Sequence, residues 1–372
     1  MGARGQSPSG QPAVGSVAVH TFAAHQSMTR AHQSMDGQHV NAMAGEQGGT
    51  DPATFADYDA MPEGRFYDPD AEYEPDPEYA ATLAPDAARQ RRERIGPTGR
   101  PLPYFPIPGP LTEHGPAKII AMCNQKGGVG KTTSTINLGA ALAEYGRRVL
   151  LVDFDPQGAL SVGLGVNPME LDLTVYNLLM ERGMSADEVL LKTAVPNMDL
   201  LPSNIDLSAA EVQLVSEVAR ESTLQRALKP LLADYDYIVI DCQPSLGLLT
   251  VNALTAAHKV IVPLECEFFA LRGVALLTET IEKVQERLNP DLELDGILAT
   301  MYDSRTVHSR EVLARVVEAF DDHVYHTVIG RTVRFPETTV AGEPITTYAS
   351  NSVGAAAYRQ LAREVLARCP AE

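Results

Sequence analysis

From Lys118 onward the chain alternates between short apolar runs and stretches in which apolar residues recur every three or four positions. The runs KIIAMC (118–123), RRVLLVDFD (147–155), MDLLPS (198–203), YDYIVID (235–241), HKVIVPLE (258–265), DGILATMYD (295–303) and VYHTVIG (324–330) each read as a strand. Their hydrophobicity is continuous rather than alternating, so both faces must be covered. That predicts an α/β fold with a mostly parallel sheet of about seven strands between helix layers. Between the first two runs, TTSTINLGAALAEYG carries apolar residues at Ile136, Leu138, Ala141 and Leu142 and closes on Gly146, which predicts a helix. Ligands of such sheets bind beyond the carboxyl ends of the strands. Asp153, Asp155 and Asp241 all fall there.

The first 116 residues differ in kind. They open with Gly-, Gln-, Ser- and His-rich sequence, and between Asp51 and Tyr79 ten acidic residues face the single Arg65. Low hydrophobicity, proline and one-sided charge leave too little burial to offset chain entropy, so 1–116 is expected to be a disordered acidic extension. A basic run, RQRRER (89–94), and the proline-rich PTGRPLPYFPIPGP (97–110) read as its linker, and residues 1 to about 110 are expected to be dispensable for folding. Residues 117–372 suffice for one large α/β domain.

Charge narrows the choice of partner. The chain carries −18, with 8 Lys and Arg against 15 Asp and Glu before residue 117 and 22 against 33 after it. Any nucleic-acid surface must therefore be a local patch on an acidic body. Cys123, Cys242, Cys266 and Cys369 form no C-x-x-C pair, and the first three lie in or beside predicted strands, as small buried hydrophobes do. No apolar run approaches the ~18 residues of a membrane span and no leader pattern opens the chain, so a cytoplasmic protein is expected.

The chemistry concentrates in NQKGGVGKTT (124–133), which nearly matches the phosphate-binding loop G-x-x-x-x-G-K-[ST] in the strand, turn and helix context that the motif needs. Gly127, Gly128 and Gly130 allow backbone N–H groups to turn inward on phosphate oxygens, with Val129 and Thr133 completing the loop. The helix N-terminus adds partial positive charge. Lys131 is placed for the β- and γ-phosphates of ATP and Thr132 for Mg²⁺. Gln125 stands where the first glycine belongs, and an extra lysine, Lys126, follows it.

Two acidic motifs accompany the loop. Asp241 ends the run YIVID, where a carboxylate helps hold Mg²⁺ opposite a phosphate loop; capping of the following helix is the plainer alternative. In VDFDPQG (152–158), Asp153 and Asp155 sit two apart at a strand end and so point the same way. Either could order Mg²⁺ or the attacking water, while D-P-Q-G also suits a turn.

K-G-G-V-G-K-T, D-x-D-P-Q-G and the C-terminal GEPITTYASNSVGAAAYRQLAREV together resemble the ParA/Soj partition ATPases, in the deviant Walker-A group of P-loop NTPases, over essentially all of 118–368. TMYDSRT (300–306) resembles ParA in particular. The resemblance implies a homodimer that sandwiches two ATP molecules, with the signature lysine, here Lys126, reaching the partner's phosphates. It also implies that Lys131 and Thr132 bind phosphate and Mg²⁺, that Asp155 supports hydrolysis, that Asp153 and Asp241 serve the metal, and that Gly127 lies at the dimer interface. ATP-bound dimers of the family bind double-stranded DNA without sequence preference, and a ParB-like partner stimulates hydrolysis and releases them, which implies nucleoid association.

Several positions depart from the pattern. Gln243 replaces a usual proline, and Gly330 and Thr332 replace the proline and asparagine of P-R-N-V-R before Arg334. That region borders the adenine in the family, which implies Met301, Gly330 and Arg331 as the adenine side. Candidate DNA contacts are Lys283, Arg287, Arg305, Arg310, Arg315 and Arg334, although 7 basic residues face 10 acidic ones between Glu282 and Arg334. Ordinary solvated helix charges are the alternative for them. A membrane-inserting cell-division regulator would end in a bulky, basic amphipathic helix, whereas AAAYRQLAREVLARCPAE is alanine-rich and reads as a packing helix. The remaining rival is an orphan ParA-like switch that positions a protein complex rather than DNA.

Overall fold

A computed structural model describes residues 95–267 and 270–371, the side chain of Ala270 excepted. The strands are β1 (Lys118–Met122), β2 (Val149–Phe154), β3 (Leu191–Lys192), β4 (Met198–Leu201), β5 (Tyr237–Cys242), β6 (Lys259–Glu265) and β7 (Glu293–Thr300). They form one seven-stranded sheet in the order β3-β4-β2-β5-β1-β6-β7. All pairings are parallel except β3 with β4.

Alternate residues of each strand belong to different cores, which explains the continuous apolar runs. Ile119, Ala121 and Cys123, with Ile238, Ile240 and Cys242, join helices Leu248–Ala256, Ala270–Arg287 and Val307–Phe320 on one face. Ile120, Met122, Leu151 and Val239 join two helices on the other, α1 (Lys131–Glu144) and α2 (Val353–Arg368). Helix α1 ends at Glu144, and Gly146 takes the left-handed conformation expected of a C-terminal stop, φ +75°. The C-terminal helix α2 buries Tyr358, Leu361, Ala362 and Val365 in the core it shares with α1, as its alanine-rich sequence anticipates. No helix among the described residues is long and apolar enough to cross a membrane.

Two expectations change. VYHTVIG (324–330) is not a strand; its pairing is confined to isolated bridges, Ile297 with Val324 and Tyr302 with Gly330, beside which Ile329 N–H donates to the Ala299 carbonyl at 2.8 Å and the Tyr325 hydroxyl donates to Asp295. The buried Glu364 captures the N–H groups of His326 and Thr327, at 2.8 and 2.9 Å, and so withdraws them from any ladder. The seventh strand is instead the two-residue β3, too short to carry a hydrophobic pattern.

The expected disordered extension lies outside the described residues as far as residue 94. Residues 95–116, however, follow a defined path along the domain. Ile95 bridges Pro101, Thr98 is buried, and Arg100 donates to the carbonyls of Asp321 and Val324. Arg147 donates to the carbonyl of Gly109 at 2.7 Å. Further on, the fully buried Asp236 accepts from the Gly115 and Arg148 N–H groups at 3.1 and 2.8 Å and pairs with His114 Nδ1 at 2.8 Å. Pattern reading misses such a segment because polar anchors, not an apolar stripe, hold it.

A chain starting at Ile95 should therefore unfold like the full chain, whereas one starting at Ala117 strips Asp236 of two partners. The expected loss is about 2–3 kcal/mol, a midpoint lower by about 5–10 °C in thermal unfolding. Equal midpoints for the two truncations would show that the segment contributes nothing.

Candidate nucleotide-binding site

The end of β1 turns into a loop whose shape depends on glycine at two places. Gly128 has φ +74° and Gly130, which caps α1, has φ +83°, a region that side chains with a Cβ rarely occupy. The loop is stapled to its neighbours. Asn124 Nδ2 donates to the Pro263 carbonyl at 2.7 Å, its Oδ1 accepts from Lys126 N–H at 2.9 Å, and Thr300 Oγ1 donates to the Val129 carbonyl at 2.8 Å.

The two lysines lead different lives. Lys131 is buried on the first turn of α1, and its ammonium curls back over the loop to the Lys126 carbonyl at 3.1 Å. A glycine-turned loop that opens a helix, with an ammonium folded over it, fits a polyphosphate. Lys126 instead leaves the loop, its side chain 43% exposed. Its ammonium meets two carboxylates from the end of β6, Glu267 at 2.6 Å and Glu265 at 3.0 Å.

Parallel pairing brings Asp153 of β2 directly beside Asp241 of β5, and Asp241 beside Met122 at the loop's entrance. Thr132 Oγ1 donates to Asp241 at 2.6 Å, and Thr135 Oγ1 reaches its other oxygen at 3.4 Å. A hydroxyl and a carboxylate side by side suit a hard divalent cation that completes its shell with phosphate oxygens and water. Asp153 is already engaged: its Oδ2 accepts from both Oγ and N–H of Ser161, at 2.7 and 2.8 Å. Asp155, half-buried, accepts from Gln157 N–H at 3.0 Å, so of the two acids in D-F-D it is the one presented outward.

Burial pushes both inner carboxyls far up. Asp241 rises to about 8, through desolvation and then the charge of Asp153; Asp153 rises to about 7, through desolvation, against the hydrogen bonds from Ser161. Both folded-state values exceed the ordinary 3.8, so between about pH 4 and 8 the native state holds protons that the unfolded chain has lost, and stability falls as pH rises.

The three adenine-side candidates come together after β7. Met301 has φ +51°, Tyr302 N–H donates to the Ile329 carbonyl at 3.1 Å, and Arg331 N–H returns to the Tyr302 carbonyl at 3.0 Å. Arg331 also lies 3.3 Å from Glu265, which joins this border to the Lys126 cluster. The DNA candidates are more scattered. Lys283 and Arg287 are exposed on Ala270–Arg287, and Arg315 is exposed on Val307–Phe320. Arg305 grips both oxygens of Asp303 at 2.9 Å and holds that carboxyl down at about 2. Arg310 donates to the Ser304 carbonyl at 3.0 Å, and Arg334 pairs with Glu337 at 2.9 Å. Sequence reading missed Glu265, Glu267, Ser161 and Thr135. Only Glu265 carried a signal, as the charge that ends an apolar strand.

Fold and site together define a P-loop nucleotide-binding protein with a second lysine in its loop. A family model described as an AAA domain matches residues 117–294. The chain is 69% identical over 274 residues to an uncharacterized protein of Mycobacterium tuberculosis, covering 74% of this chain and 86% of that one. It is 49% identical over 250 residues to the sporulation initiation inhibitor protein Soj of Bacillus subtilis, covering 67% and 98%. Among solved structures it is similar to one named cobyrinic acid a,c-diamide synthase from Mycobacterium smegmatis with bound ADP and magnesium, at 47% identity and a TM-score of 0.60, covering 68% of this chain and 94% of that one. The chain belongs to the ParA/Soj family of chromosome-partitioning ATPases.

Asp241→Asn should flatten the pH dependence of the nucleotide-free protein and stabilise it near pH 8 by on the order of a few kcal/mol. Urea unfolding at pH 5, 6.5 and 8 measures this. A parallel pH dependence in wild type and variant would refute the carboxyl assignment.

Proposed function

We propose that this chain is a Mg²⁺-dependent ATPase that pairs with a second copy when both hold ATP, binds double-stranded DNA non-specifically as that dimer, and is discharged by a ParB-like partner. The observation that carries the reading is the divergence of the two lysines. Lys131 serves the loop of its own subunit, while Lys126 projects from the loop at the surface, where a facing subunit can meet it. An in-trans cation makes pairing conditional on the nucleotide, because the lysine gains a phosphate partner only when one is present across the interface.

The remaining roles follow from position. Gly127, Gly128, Val129 and Gly130 supply backbone N–H groups to the phosphates, Thr132 and Asp241 hold Mg²⁺, and Thr133 continues the helix start. Asp153 orients the turn that carries Asp155, and Asp155 positions the attacking water. When bound, ATP supplies the transferable phosphoryl group and Mg²⁺ offsets its charge. The DNA surface draws on Arg305, Arg310 and Arg334 with Lys283, Arg287 and Arg315. Arg305 and Arg334 must trade an internal carboxylate for a phosphate, so affinity per subunit is low and depends on dimerisation and low salt. Nucleoid association follows from that binding.

Lys131→Ala should abolish ATP binding, whereas Lys126→Ala should still bind ATP, fail to dimerise, and lose hydrolysis by about a hundredfold or more. Sedimentation with ATP separates the two, and a normal dimer from Lys126→Ala would sink the in-trans assignment. Asp155→Ala should hydrolyse poorly and accumulate as the ATP dimer. That trapped dimer should bind unrelated duplexes with similar affinity, only with ATP, and the affinity should fall steeply with salt. A trapped dimer without DNA affinity even at low salt would favour the orphan switch acting on a protein complex.

A further inference from the structure

We infer that Glu265 and Glu267 form a latch that holds Lys126 in its own subunit and sets the nucleotide threshold for pairing. The inference rests on the in-trans reading of Lys126 and adds the element that restrains this lysine before a partner arrives.

The contact is built into the sheet. β6 runs beside β1, with Met122 opposite Ile261, so the carboxyl end of β6 is delivered next to the loop that follows β1. Asn124 ties the two together, through the Pro263 carbonyl on one side and the Lys126 N–H on the other. Beyond the strand the backbone turns tightly, with Glu267 N–H bonded to the Glu265 carbonyl at 2.7 Å, which sets both carboxylates on the same side as the ammonium. Glu265 is largely buried, its side chain 13% exposed, while Glu267 is 53% exposed. The ionisation of the group agrees. Burial alone would lower the Lys126 ammonium, yet hydrogen bonds to Glu267 and Glu265 carry it above its ordinary value, and Lys126 holds Glu267 below its own.

A single exposed ion pair would bias the lysine little. Two carboxylates on one ammonium, one of them shielded from water, compete with a phosphate group on comparable terms. A triphosphate across the interface offers one more negative group than a diphosphate, so the latch lets the first extract Lys126 and the second fail. Arg331, 3.3 Å from Glu265, remains to neutralise the carboxylates once the lysine has left.

The test uses the full chain and the isosteric double change Glu265→Gln with Glu267→Gln. Without nucleotide, an amine-reactive ester should acylate Lys126 about three- to tenfold faster in the variant than in wild type, read by peptide mass spectrometry against the other lysines. With nucleotide, sedimentation should show the variant pairing with ATP at several-fold lower protein concentration and beginning to pair with ADP. In a Lys126→Ala background the two glutamines should leave sedimentation unchanged, with no pairing in ATP or ADP. Unchanged acylation would overturn the latch, as would faster acylation with unaltered pairing, or weaker pairing of the variant; in each case Lys126→Ala would still fail to dimerise and the in-trans reading would stand. Normal pairing of Lys126→Ala overturns that reading first, and the latch with it.

Discussion

Two carboxylates placed side by side in the middle of a sheet dominate this molecule. Asp153 and Asp241 are opposite one another on adjacent parallel strands and both are shielded from water. Burial drives both toward the protonated form, the charge of Asp153 adds to it at Asp241, and two kinds of partner relieve the strain: hydroxyl and N–H donors, or a cation. Asp153 has the first kind in Ser161; Asp241 has both, in the hydroxyls of Thr132 and Thr135 and the nearby Lys131 ammonium.

A second layer of charge surrounds this buried pair. Lys131 turns inward over the loop, while Lys126, Glu265, Glu267 and Arg331 form a network at the rim that joins the loop to the segment after β7. The inner layer is buried and held by internal hydrogen bonds. The outer layer is wet, and its partners can be exchanged at low cost, which suits groups that must change allegiance when a second subunit arrives. The same reasoning applies to Arg305 and Arg334, each satisfied internally by a carboxylate that a phosphate could replace. An acidic body that binds DNA through such residues would do so weakly and reversibly.

Much of this was legible in the chain. Six of the seven anticipated strands are present because a strand buried on both faces must be apolar throughout, and the glycines of the loop announced themselves because only they tolerate its backbone. VYHTVIG has the same composition as a strand but loses two of its N–H groups to Glu364, almost forty residues away, and nothing local records that. The segment 95–116 was misjudged for the converse reason: its order comes from Arg100, His114 and Arg147 meeting distant backbone and carboxylate groups.

By itself, then, the sequence determined the six longer strands and the helix after the phosphate loop, where that loop turns, and which acids end the central strands, since each depends on residues close together along the chain. Tertiary structure alone decided which of the two acids in D-F-D is engaged and which is presented, and how the two lysines divide between inside and rim. It also decided that Lys126 is met by Glu265 and Glu267. The meeting of Lys126 with its two carboxylates depends on strand order, which sets β6 beside β1. Strand order is a property of packing between distant segments, and no local pattern of residues encodes it.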